Sequence, residues 1–101
     1  MRVIMMLRPT NKHGTKGAYT AFRKRLVTEG FVLVQPEVFM LTNPTRRSAE
    51  FALSRLADAA PTTGTVCAML LTERQAASVR YLVGEAPYQE RAIGAKRLVT
   101  L

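Results

Sequence analysis

Three observations in this chain predict an α+β domain in which two helices lie on one face of an antiparallel sheet. Tyr19, Phe22 and Leu26 fall three and four residues apart, so they share one face of a helix. Ala49, Ala52, Leu53, Leu56 and Ala60 repeat that period and mark a second helix. Before, between and after the helices stand apolar runs of strand length, Arg2 to Leu7, Phe31 to Leu41 and Thr65 to Leu71. With a kink dividing the second run, the order becomes β-α-β-β-α-β, a ferredoxin-like sandwich with an extra strand at the C-terminus.

Each element has a local reason. Pro9 and Gly14 hold Arg8 to Lys16 open as a loop after the first strand. The first helix is expected over Ala18 to Glu29 and stops at Gly30, because glycine takes the left-handed cap without steric cost. Pro36 cannot donate to a sheet ladder, so it makes the second strand an edge or forces a bulge in it. Asn43 followed by Pro44 reads as an N-cap with proline at the first helical position, and Pro61 closes the second helix. Thr72 and Gln75 have capping-box spacing, which predicts a short helical turn over Glu73 to Ala77. Val79 to Val83 alternates like a strand, residues 84–95 are irregular, and Lys96 to Leu101 is the final strand.

The 101 residues are expected to form one domain. Two helices cover one side of such a sheet only. Met5, Leu33, Met40, Met69 and Leu71 are too apolar for a solvated face, so a second copy of the chain is expected against it, giving a homodimer through the sheet.

Charge is placed unevenly. The net charge is +8, and residues 1–35 carry +6 of it through Arg2, Arg8, Lys12, Lys16, Arg23, Lys24 and Arg25 against Glu29. Cations gathered around the first strand, loop and helix predict a polyanionic partner. The basic helix lacks a wide apolar face with tryptophan anchors, which argues against a membrane surface. No apolar run approaches the roughly 18 residues that span a bilayer, and the run Val3 to Leu7 has no small-residue cleavage site after it, so no signal peptide is expected. The one cysteine, Cys67, excludes an internal disulfide and a cysteine-rich metal cluster, consistent with a reducing cytoplasm.

Chemistry-bearing residues are sparse. Asp58, the single aspartate, reads first as a solvated residue near the end of the second helix and second as a metal ligand. His13 lies in the basic loop, where a solvated imidazole is the first reading and a general base or phosphate contact the second. Cys67 has no neighbouring histidine and is expected as a small buried hydrophobe. Ser48, Ser54 and Ser78 stand in no glycine elbow, so a serine hydrolase is excluded. Gly14 and Gly17 around Thr15 and Lys16 are too closely spaced for a nucleotide-binding loop, although backbone N–H groups at the helix start suit a phosphate. Basic residues without interleaved exposed aromatics point to the backbone of a duplex rather than to unstacked single strands.

The run from Gly17 to Phe39 resembles the small CRISPR-associated protein of family two, the partner of the integrase in spacer acquisition. The residues that carry the resemblance are the basic helix, Gly30, and the strand Val34, Gln35, Pro36, Glu37, Val38, Phe39, with glutamate where the family usually has serine. The opening MRVIMMLRPT, the segment Thr65 to Gly84 and the closing AKRLVTL are similar to the family's other strands. The resemblance implies a ferredoxin-like homodimer whose terminal strand, about 96–101, extends the partner's sheet or meets the integrase. Family members described as metal-dependent nucleases carry an aspartate at the end of the first strand; the matching position is Leu7, or Arg8 if the register slips by one. Neither binds Mg²⁺.

The expectation is therefore a non-catalytic DNA-binding scaffold of the spacer-acquisition complex, with no catalytic and no metal-binding residue. Lys12, His13, Lys16, Arg23 and Lys24 would hold duplex DNA across the dimer axis, with Arg46 and Arg47 extending the track. Its expected partners are a second copy, an integrase subunit and double-stranded DNA. No cofactor is expected, Mg²⁺ being required only by a nuclease activity. Two alternatives stand beside it: a small metal-dependent endonuclease acting on RNA or double-stranded DNA, and an unrelated ferredoxin-like module for structured RNA.

Overall fold

The computed structural model describes residues 1–10 and 15–86. Its elements are β1 (Arg2–Arg8), α1 (Thr15–Thr28), β2 (Val32–Gln35), β3 (Val38–Thr42), α2 (Arg46–Ala59), β4 (Thr65–Leu71) and α3 (Glu73–Ala76). The strands form one antiparallel sheet in the order β2-β3-β1-β4, the ferredoxin-like arrangement that the sequence predicts.

β1 sits between β3 and β4, and the pleat sorts its side chains onto two faces. Val3 stands opposite Leu41 and Leu70, Met5 opposite Phe39 and Ala68, and Leu7 opposite Val66. This face meets the helices. Tyr19, Phe22 and Leu26 from α1 and Ala49 and Leu56 from α2 close over it, and all five are buried with Val3, Met5, Leu7, Phe31 and Phe39. Arg2, Ile4, Met6 and Arg8 point to the opposite face, beside Val38, Met40, Met69 and Leu71. Of the five residues expected to make the uncovered face apolar, Met40, Met69 and Leu71 do lie there, whereas Met5 and Leu33 lie on the helix side.

α1 ends as Gly30 requires. Gly30 has φ +100°, its N–H donates to the Val27 carbonyl at 3.0 Å, and the Phe31 N–H donates to the Leu26 carbonyl at 3.0 Å. That pair of bonds is a Schellman motif, and its apolar ends Leu26 and Phe31 both enter the core.

Four expectations are corrected. The strand expected over Phe31 to Leu41 is a hairpin: Pro36 and Glu37 form its turn, with Glu37 at φ +66°. β2 is an edge strand, and the register shifts between Leu33 and Gln35, so the edge and the bulge both occur. The N-cap of α2 is Thr45 rather than Asn43; its hydroxyl accepts from the Ser48 N–H at 3.0 Å, while Asn43 takes φ +58° in the preceding turn. α1 begins at Thr15, three residues before Ala18, because Thr15 is buried against Thr63 with the hydroxyls 3.1 Å apart. Residues 79–83 form no strand; Leu82 and Val83 are almost fully exposed, and alternation has no meaning without a partner strand.

The capping box at α3 forms as expected. Thr72 Oγ1 accepts from the Gln75 N–H at 3.1 Å, and Gln75 Oε1 accepts from the Thr72 N–H at 2.9 Å. From α3 the chain passes over the second face of the sheet. Ile4, Val38, Met40, Leu71, Val79 and Tyr81 line a cavity of about 300 Å³ there. This cover explains why Met40 is only 3% exposed on a face that carries neither long helix. The strand expected over 96–101 lies outside the described residues.

The connection into β4 depends on Gly64, at φ +80°. A Cβ there would lie 2.5 Å from the Arg8 carbonyl oxygen and against the Tyr19 hydroxyl. Gly64→Ala is expected to cost about 2–4 kcal/mol in urea unfolding, the sum of a left-handed alanine and a backbone clash. Gly17→Ala, with nothing within 4 Å inside α1, is expected to gain up to about 1 kcal/mol in the same measurement.

Candidate nucleic-acid interface

The exposed cations follow from the same periodicity that builds the core. With Tyr19, Phe22 and Leu26 turned inward, Lys16, Thr20 and Lys24 share an outward row of α1. The Thr20 hydroxyl donates back to the Lys16 carbonyl at 2.9 Å and the Thr28 hydroxyl to the Lys24 carbonyl at 3.0 Å. These threonines satisfy backbone groups, which leaves Lys16 and Lys24 as the charged groups of that row.

Not every arginine is available in the same way. Arg23 donates through Nε to Glu37 Oε1 at 2.7 Å and through an Nη to Glu37 Oε2 at 2.8 Å, a bidentate pair tying α1 to the β2–β3 turn. That hydrogen bond with Glu37 raises the Arg23 pKa against the opposing effect of burial. Arg55 makes the same fork on Glu29, at 2.8 and 3.0 Å, and Arg25 Nε lies 3.7 Å from Glu29. Arg2, expected as part of the basic cluster, is 5% exposed: its Nε donates to both Glu73 oxygens at 3.3 and 3.4 Å, and an Nη donates to Met40 Sδ at 3.4 Å. Of the residues expected in the interface, Arg23 is thus held by a carboxylate. Lys16, Lys24, Arg46 and Arg47 are exposed and form no ion pair among the described residues, and Lys12 and His13 lie outside those residues.

Lys16 and the Arg46–Arg47 pair stand at opposite ends of the helical layer. Thr15 touches Thr63, and the Tyr19 hydroxyl donates to the Thr63 carbonyl at 2.8 Å, so α1 begins beside the exit of α2. Arg46 and Arg47 open α2, which at fourteen residues is about 20 Å long. A track joining them would have to run the length of the helices. Neither helix has an acidic residue in its first turn. Cations there oppose the helix dipole by about 0.3–1 kcal/mol each, an arrangement that an anion at that surface reverses.

Arg8, part of the basic cluster in the sequence, is exposed at the end of β1 on the face opposite the helices, which strand alternation shares with Arg2 at the other end of the strand. The expectation of a buried Cys67 is corrected: the residue is exposed, because it sits on the outer face of the edge strand β4, opposite Met6. Asp58 is exposed in the last turn of α2, as expected for a solvated residue.

The residues at the end of β1 do not fit a divalent cation. Leu7 is buried at 7% exposure in the apolar core, and Arg8 presents a cation. Among the described residues no three His, Cys, Asp or Glu side chains come together in a way that could hold a metal ion. Among the described residues, also, no helix is long and apolar enough to cross a membrane.

The Glu29 carboxylate sits below its ordinary value of 4.5, chiefly through the hydrogen bonds from Arg55, with Arg25 assisting and burial opposing. A carboxylate depressed in the folded state stabilises the protein above its unfolded value and loses that contribution as pH falls through the folded value. Arg55→Gln is therefore expected to lower stability at pH 7 and to flatten the decline between pH 5 and pH 3, read from urea midpoints across that range.

No family profile matches the chain. It is similar to curated proteins named CRISPR-associated endoribonuclease Cas2. The one from Streptococcus mutans serotype c is 38% identical over 88 residues, covering 84% of this chain and 79% of the relative. Those of Lacticaseibacillus rhamnosus and Ligilactobacillus salivarius are 33% and 32% identical, covering 83% and 76% of this chain and 84% and 76% of their own lengths.

Proposed function

Because the chain belongs to the CRISPR-associated Cas2 family, we propose that it acts in CRISPR adaptation as a DNA-binding scaffold that breaks no bond. In this reading a cytoplasmic homodimer, paired through the part of the second sheet face that carries Met6 and Met69, stands between integrase subunits and holds a duplex by its phosphates. The observation that carries it is the end of β1, where Leu7 is buried and Arg8 is a cation, so no carboxylate stands where the family members that this chain resembles and that are described as metal-dependent nucleases carry an aspartate. The exposed Lys16 and Lys24 support the phosphate contact, because two solvent-facing ammonium groups on one helix row suit a backbone and read no base.

The name borne by the relatives favours a second reading, an endoribonuclease. Purified protein incubated with Mg²⁺ or Mn²⁺ and labelled single-stranded RNA or duplex DNA separates the two. Intact substrates are expected. A product that disappears in His13→Ala or Asp58→Ala would overturn the scaffold.

For DNA binding, Lys16→Ala with Lys24→Ala is expected to weaken duplex affinity equally for unrelated sequences. The slope of log affinity against log salt should fall by roughly one for each phosphate that the variant no longer neutralises. Fluorescence anisotropy across a salt series measures both quantities, and an unchanged slope removes α1 from the interface.

A further inference from the structure

We propose that the outer face of the first two turns of α2 is a stacking platform for unpaired nucleotides, with a base laid against Phe51 and Arg47 and a phosphate held by Arg46. The proposal rests on the reading that this chain binds nucleic acid, and it adds a second site and a different class of ligand to the duplex contact on α1.

Phe51 is 55% exposed and takes no part in the buried cluster. It lies off the inward stripe of Ala49, Ala52 and Leu56, so packing of the described core does not account for it. Arg47, one turn earlier, places its guanidinium 5.6 Å from the centroid of the Phe51 ring. A planar cation already resting on an aromatic face is the geometry in which a base can join the stack or replace the guanidinium. Arg46 and Arg47 make no ion pair among the described residues, although Glu50 stands within a turn of both.

Two features therefore meet on one solvent-facing patch, an exposed ring and a guanidinium stacked on it, while Arg46, about 140° round the helix from Phe51, adds an exposed cation at the same end of α2. A charged ligand with flat apolar faces matches the ring and both cations. A duplex conceals its base faces within the stack, so it would use only the cations; an unpaired strand presents both face and phosphate. The patch stands about 20 Å from Lys16, the length of α2, so the two sites can be occupied independently.

The test uses the whole chain, which contains no tryptophan, so Phe51→Trp introduces a sole indole at the platform. Oligothymidylate and oligouridylate of about twelve nucleotides, within the usual site size, are expected to quench its emission. An abasic strand of equal length and a blunt duplex are expected to leave it unchanged. Quenching by either base-bearing strand supports the proposal. In anisotropy, Phe51→Ala and Phe51→Leu are each expected to weaken single-strand binding roughly tenfold while duplex affinity stays within about twofold.

Single-strand affinity unchanged in Phe51→Ala, or quenching by the blunt duplex, would overturn the platform. So would a lower sedimentation coefficient of Phe51→Ala alone, since it would show the patch to be a protein–protein contact. If duplex binding survives and still depends on Lys16 and Lys24, only the platform falls. If the protein binds no nucleic acid of any form, the scaffold reading falls with it.

Discussion

The central position of β1 is the constraint on which everything else depends. Hydrogen-bonded on one side to β3 and on the other to β4, it cannot slip by one residue without turning Val3, Met5 and Leu7 out of the core and Ile4 and Met6 into it. That register seats α1 and α2 on one face. It also sends Arg2 and Arg8 to the other, one to each end of the strand, where their fates diverge. Arg2 is taken in by Glu73 and Met40 beneath the chain that follows α3, and Arg8 remains in solvent. Burying a guanidinium demands such partners, because an uncompensated cation in an apolar site is costly.

The carboxylates then decide which cations remain available. Glu29 is engaged by Arg55 and Arg25, Glu37 by Arg23, and Glu73 by Arg2. In each of these pairs an arginine, with its planar fork, is the donor, while Lys16 and Lys24 are left to water. The outcome is a surface on which fixed ion pairs tie elements together, α1 to the hairpin turn and α2 to the end of α1. Among the described residues, the lysines of α1 and the arginines that open α2 form a separate, uncompensated set. Such a division suits a protein that must keep its own shape while exchanging counterions for a polyanion.

The two ends of the helical layer differ in kind as well as in place. At the start of α1, Lys16 is joined by the buried hydroxyls of Thr15 and Tyr19. The start of α2 instead combines Arg46 and Arg47 with an exposed aromatic ring. A backbone of phosphates is enough for the first. Only a ligand with an accessible flat face makes full use of the second.

Much of this was legible in the sequence, because the signals involved are local. Helical spacing named Tyr19, Phe22, Leu26, Ala49 and Leu56 as core; Gly30 marked the end of α1; Thr72 and Gln75 announced their capping box. Each of these is settled within about one turn of chain. The charge imbalance was likewise plain from residue types alone, whereas the missing carboxylate at Leu7 or Arg8 was legible only through the resemblance to the family. What only the tertiary structure decided depends on residues far apart in sequence. Pro36 became a hairpin turn because β3 had to pair with β1, and Cys67 became exposed because β4 lies at the sheet edge. Arg23 and Arg2 were withdrawn from the basic surface by glutamates 14 and 71 residues away. Composition counts charges, but the chain's path in space determines which of them meet an opposite charge and which are left for a partner.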